Sequence, residues 1–161
     1  MTSAYTSNLK IELIATGDQV GTWGVTTNDN FQYVFEEAIV GRGTADFAAD
    51  ANLTLTLVNS VGNQVARNVY LNVTSSVLGG LTAQRDLIVP TINKNYVVEN
   101  NTTGGQSIRV KTAAGTGIVV ANGTKVPLYV DGTNVTYAYN PMWDPAGTAD
   151  NAAIAFAVAL G

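Results

Sequence analysis

Gly117-Ile118-Val119-Val120-Ala121-Asn122-Gly123-Thr124-Lys125-Val126-Pro127-Leu128-Tyr129-Val130-Asp131-Gly132-Thr133-Asn134-Val135 sets three short β-type runs around an Asn-Gly and an Asp-Gly pair. Both pairs read as hairpin signals, because the tight turn joining two antiparallel strands needs positive φ at its two central residues. They bracket a strand from Val126 to Val130, and the next strand runs from Val135 to Tyr139. Pro127 has no amide hydrogen for a ladder, so that strand is expected at an edge or a bulge.

The same pattern extends backwards. Leu53, Leu55 and Leu57 alternate with Thr54 and Thr56, a two-residue period that gives one apolar face. Further β-type runs cover 69–73, 86–89, 96–98 and 108–111. Short strands at regular intervals predict a mainly β chain, organised as a β-sandwich or a jelly-roll-like domain.

One short N-terminal amphipathic helix is expected in addition. Phe31, Val34, Phe35, Ala38 and Ile39 form a single apolar stripe at helical spacing. Thr27 and Asn28 are candidate N-caps, and Gly41 fits a left-handed stop, so the helix is placed at roughly 29–40. Leu9, Ile11 and Leu13 alternate as a preceding strand. The glycine-rich loop from Thr16 to Gly24 is expected to tuck the Trp23 indole against the helix. As a buried anchor, Trp23 would cost about 3–5 kcal/mol on truncation.

Residues 1–7 are small and polar and read as a flexible or partner-docked arm. Residues 1–50 thus hold the arm, strand, Gly/Trp loop and helix, and residues 51–161 hold the β-sandwich, the two forming one folded unit. After Asn140-Pro141 the chain turns irregular around Trp143. Ile154, Phe156, Val158 and Leu160 favour a final strand, with an alanine-rich helix as the alternative. Trp23, Phe31, Phe35, Trp143 and Phe156 are the candidate structural or interface residues.

Composition narrows the chemistry. The chain has 161 residues, of which 46% are hydrophobic and only 12% charged, with a net charge of −4. Its eight basic residues form no stripe, which argues against nucleic-acid binding through phosphates. The absence of cysteine excludes disulfides and thiolate metal sites, and the absence of histidine removes the commonest general base and metal ligand. Residues 1–5 lack a basic start before an apolar core, and the longest apolar run, 152–160, is too short to span a bilayer. A soluble, non-exported, non-membrane chain is expected.

No catalytic constellation emerges. Glu36 and Glu37 are adjacent on a helix, point about 100° apart, and read as a solvated face. Asp46 and Asp50 lack a calcium-loop pattern and read as loop caps. Gly17, Gly21 and Gly24 lack the Lys and Ser/Thr of a phosphate loop. No enzyme, cofactor or metal is expected.

The string Tyr5-Thr6-Ser7-Asn8-Leu9-Lys10-Ile11-Glu12-Leu13-Ile14, followed by Thr16-Gly17-Asp18-Gln19, Gly21-Thr22-Trp23-Gly24 and Thr26-Thr27-Asn28, resembles a domain of virion proteins from tailed bacteriophages, notably marine and cyanobacterial ones. Matches continue at 96–100, 102–106, 111–112 and 130–135, so the resemblance covers most of residues 5–139, and the Gly-Thr-Trp-Gly segment is its most specific part. Such domains are common near the start of tail-fibre-like proteins, yet this chain lacks a fibrous shaft. The resemblance therefore implies a small virion component, foremost a head decoration (cement) protein. The alternative is a short tail fibre or fibre adaptor that binds host glycans. It implies a homotrimer, capsid or tail proteins as partners, and location in the virion.

Overall fold

The computed structural model describes residues 3–139. Trp143, Phe156 and the segment read as a final strand lie outside these residues. The described chain is mainly β, with one helical run. Its strands are β1 (Ala4–Tyr5), β2 (Glu12–Leu13), β3 (Arg42–Phe47), β4 (Leu53–Thr54), β5 (Tyr70–Ser75), β6 (Arg85–Ile88), β7 (Asn93–Asn100), β8 (Ile108–Lys111), β9 (Gly117–Val120), β10 (Lys125–Asp131) and β11 (Val135–Tyr137).

β1 and β2 form a small antiparallel pair. A five-stranded sheet has the order β11-β10-β7-β5-β3 and a four-stranded sheet the order β4-β6-β8-β9. From β3 to β8 the chain alternates between these two sheets. As a result β3, β5 and β7 are parallel neighbours, and so are β4, β6 and β8. Beyond β8 the winding reverses, because β9 runs antiparallel to β8, and β10 antiparallel to both β7 and β11.

One core joins the two sheets. Phe47, Leu71, Val73, Tyr96, Val98 and Leu128 come from the larger sheet, and Leu87, Ile108, Val110 and Val120 from the smaller. Alternation places them inward: β7 reads exposed Asn93, buried Lys94, exposed Asn95, buried Tyr96.

The two turn signals have different outcomes. Asp131-Gly132 joins β10 to β11 as a hairpin, through a longer loop closed by its own side chain. The Asp131 carboxylate accepts the amides of Thr133 (2.8 Å) and Asn134 (2.7 Å), which holds it below the usual carboxylate range. Asn122-Gly123 forms a turn but no hairpin, since β9 and β10 belong to different sheets. In both pairs only the glycine has positive φ.

Pro127 also departs from expectation. β10 lies between β7 and β11, away from either edge of the sheet. The proline is tolerated because the β11 ladder ends at Leu128↔Tyr137, just short of it. There the Pro127 carbonyl still accepts the Ala138 amide at 3.2 Å.

The N-terminal region is corrected more deeply. The helical run begins at Trp23, six residues before the expected start. It comprises α1 (Trp23–Asp29), a π-helical turn (Asn30–Phe35) and α2 (Glu36–Val40). The Gln19 carbonyl accepts the amides of Thr22 and Trp23, both at 2.9 Å, and so opens the first turn. Thr27 is no cap; its hydroxyl bonds back to the Trp23 carbonyl at 2.8 Å. Gly41 is extended, with φ −66° and ψ 145°, so handedness does not explain it. A Cβ there would lie 2.4 Å from Asn68 Oδ1 and 2.5 Å from Glu37 Cα, so the glycine permits close packing.

Trp23 is 61% exposed and is not tucked against the helix. Of the stripe, Val34 alone is fully buried; Phe35 and Ala38 are half-buried, and Phe31 and Ile39 exposed. The buried positions of the run are Asn30, Val34 and Glu37. The residues read as a free arm are partly structured, since Ala4 pairs with Leu13 and Tyr5 with Glu12. The Tyr5 hydroxyl also donates to the Glu12 carboxylate at 3.2 Å.

Candidate functional site

β7 starts before its parallel neighbour. Tyr70, the first residue of β5, pairs with Val97, so Asn93–Tyr96 extend past the end of β5. On that side, the space is taken by the helical run, the 3-10 turn Val65–Arg67 and the N-terminal segment around Leu9. Asn30, Glu37, Arg67, Asn68 and Lys94, five of the eight buried polar residues among those described, gather here.

Arg67 is completely buried and acts as a tie between separate segments. Its Nε donates to the Leu9 carbonyl at 3.1 Å. Nη1 donates to the carbonyls of Tyr33 (3.0 Å) and Gly62 (2.7 Å), and Nη2 to that of Ser60 (2.6 Å). The Tyr33 carbonyl lies within the π turn, where a side-chain donor enters the helical bonding pattern. Glu37 Oε2 stands 3.9 Å from Nη1. Glu37 is 7% exposed, which corrects the expected solvated Glu36-Glu37 face; only Glu36 is exposed. Burial raises the Glu37 carboxyl against the opposing pull of the Gln64 amide and Arg67, while burial lowers the Arg67 guanidinium.

Lys94 completes the cluster. It is 7% exposed, with Nζ 5.0 Å from the Tyr96 ring centroid, and the Tyr96 hydroxyl donates to the Ala66 carbonyl at 2.6 Å. Among the described residues, Lys94 Nζ has no hydrogen-bond or ion-pair partner. Burial, with a further push from Arg67, lowers its pKa to about 8. The cluster therefore holds two cations against one carboxylate.

Lys94 lines a cleft of about 570 Å³ between the N-terminal segment, the end of α2 and the start of β7. Thr6, Ser7, Asn8, Asn93 and Asn95 supply its neutral polar lining. Leu9, Ile11, Ala38 and Ile39 supply its apolar lining. No carboxylate lines it among the described residues.

An uncompensated buried ammonium destabilises a fold. Lys94→Met should therefore stabilise the protein at neutral pH by about 2 kcal/mol, a rise of roughly 4–8 °C in melting temperature. The sign follows from proton linkage. Between about pH 8 and the ordinary lysine value, the unfolded chain keeps a proton that the folded chain has released. Wild-type stability thus gains on the variant as pH rises through that window, and the gap closes above it. Melting curves of both proteins from pH 7 to pH 10.5 read this directly; a gap that stays constant across the range would sink the assignment.

The other sequence candidates stand apart from this cluster. Phe31 and Phe35 stack with centroids 5.7 Å apart, Phe31 exposed and Phe35 half-buried. Asp46 Oδ1 accepts the Thr74 hydroxyl at 2.8 Å, and Asp50 pairs with Arg85 at 2.8 Å, so both carboxylates tie loops and strands. No group of three or more acidic residues suited to a metal ion occurs among the described residues, and no helix there is long and apolar enough to cross a membrane. Arg67 and Lys94 were not singled out by sequence, and Glu37 was read as part of a solvated face. Their only local signal was Lys94 at an inward position of a β-type alternation.

No protein-family model, no curated protein and no solved structure matches the chain.

Proposed function

We propose that this chain is a non-enzymatic structural component of a tailed-phage virion, foremost a head decoration (cement) protein that acts as a homotrimer. The observation that carries the reading is the distribution of exposed apolar side chains. Among the described residues, seven of the twelve large exposed hydrophobics fall between Leu13 and Val40, including Trp23, Val25, Phe31 and Ile39. A helical run presenting that much apolar surface fits a docking role, and the same stretch carries the resemblance to virion proteins. Subunits bound only to the assembled shell raise the free energy needed to dismantle it.

The two sheets are best read as a sandwich in the sense of two layers over one core. The parallel pairing of β3, β5 and β7 sets the winding apart from an antiparallel jelly roll. A short tail fibre or adaptor with a host-glycan role is the second reading, favoured by Tyr137 and Tyr139, which are 44% and 56% exposed at the sheet edge.

Electron microscopy of particles carrying the chain separates the two: hundreds of copies on the head support cement, and about a dozen at the tail support a fibre. No association with particles refutes both. Trp23→Ala should leave stability within about 0.5 kcal/mol while weakening particle attachment about tenfold. A large drop in melting temperature, or unchanged attachment, would count against the docking role. Light scattering that shows a monomer at micromolar concentration would overturn the trimer.

A further inference from the structure

We infer that the cleft over Lys94 binds an acidic sugar, a hexuronate unit of a polysaccharide, with the Lys94 ammonium paired to its carboxylate. This goes beyond the docking role, and either can fail without the other. The buried cluster carries one positive charge in excess of its carboxylate, in a chain whose net charge is −4. Lys94 is 7% exposed as a residue, and its ammonium, unpartnered among the described residues and lining an open cleft, is a costly arrangement that an entering anion relieves.

The number of donors selects the anion. Arg67 already donates to four backbone carbonyls, so its planar fork is not free for a phosphate. One free ammonium matches one monovalent carboxylate. The remaining lining matches the rest of a sugar: amides of Asn8, Asn93 and Asn95 and hydroxyls of Thr6 and Ser7 can exchange hydrogen bonds with ring hydroxyls. Leu9, Ile11, Ala38 and Ile39 offer surface to a C–H face. A volume of about 570 Å³ lies within the usual range of small-molecule sites.

The test titrates the full chain with trigalacturonic acid, neutral galactotriose and acetate, by calorimetry and by amide chemical shifts. Trigalacturonic acid should bind, shifting amides of 93–95 and 6–11, and at least about tenfold more tightly than either of the others. Lys94→Met should weaken it about tenfold or more while raising the melting temperature, so that lost binding is not mistaken for lost folding. Asn95→Ala, on an exposed strand position, should weaken it by a smaller factor, and Lys125→Met, remote on β10, should not. Three results would overturn the inference: no binding by the full chain, binding that survives Lys94→Met, or acetate binding as well as the trisaccharide.

Discussion

Arg67→Ala is expected to destabilise the protein by about 3–5 kcal/mol, because it strips a buried charge that bonds to four carbonyls in three other chain segments. The side chain is wholly buried and satisfies carbonyls at Leu9, Tyr33, Ser60 and Gly62. Without it, those carbonyls lose their side-chain donor, the buried Glu37 carboxylate keeps the Gln64 amide but loses its neighbouring cation, and a cavity the size of the side chain opens. None of the four lies in the large sheets, so the loss should be local first. Hydrogen exchange should show the helical run 23–40 and the segment around Leu9 losing protection, while β5 and β7 keep theirs. Arg67→Lys keeps the charge without the planar fork and should fall between wild type and alanine. An alanine variant that melts within a degree of wild type would refute the role of Arg67 as the tie.

Asn100→Leu should cost about 2–4 kcal/mol despite its similar volume. Asn100 is fully buried, and it sits where the parallel winding gives way to the antiparallel end. Its amide donates to the carbonyls of Gln106 and Val120, both at 3.1 Å, and its Oδ1 accepts the Thr102 amide (3.1 Å) and hydroxyl (2.7 Å). Its backbone accepts the Gly123 amide and donates to the Thr124 carbonyl. Leucine takes a partner from four groups, the Gln106 and Val120 carbonyls and the Thr102 amide and hydroxyl, at the point where β9 crosses to β10. Thr102→Val removes only the hydroxyl and should cost about 1 kcal/mol. Equal denaturation midpoints for the two variants would remove Asn100 from this role.

Much of the β character was legible because strand alternation is a local property. The runs at Tyr70, Tyr96, Ile108 and Gly117 all lie in strands. β3 went unread, although its burial alternates cleanly. Its inward residues are Gly43, Ala45 and Phe47, and two of these are too small to register as an apolar face. The helix was recognised from its stripe, but its start was missed, because the opening bonds from Gln19 depend on a backbone with positive φ that no pattern announced.

The sequence by itself determined that the described residues are mainly β with one helical run, where most of their strands lie, and that 122–123 and 131–132 turn. Each follows from spacing and from the conformational freedom of particular residues. Tertiary structure alone decided which strands pair. Two similar dipeptides end in different topologies because Asp131 bonds to its own loop, whereas the Asn122 amide reaches the Thr102 carbonyl at 2.7 Å, across the fold. It also decided that Trp23 faces solvent while Glu37 and Lys94 do not. A helix pattern gives the relative angles of side chains, but which face is buried depends on what packs against it, here Arg67 and the overhanging start of β7.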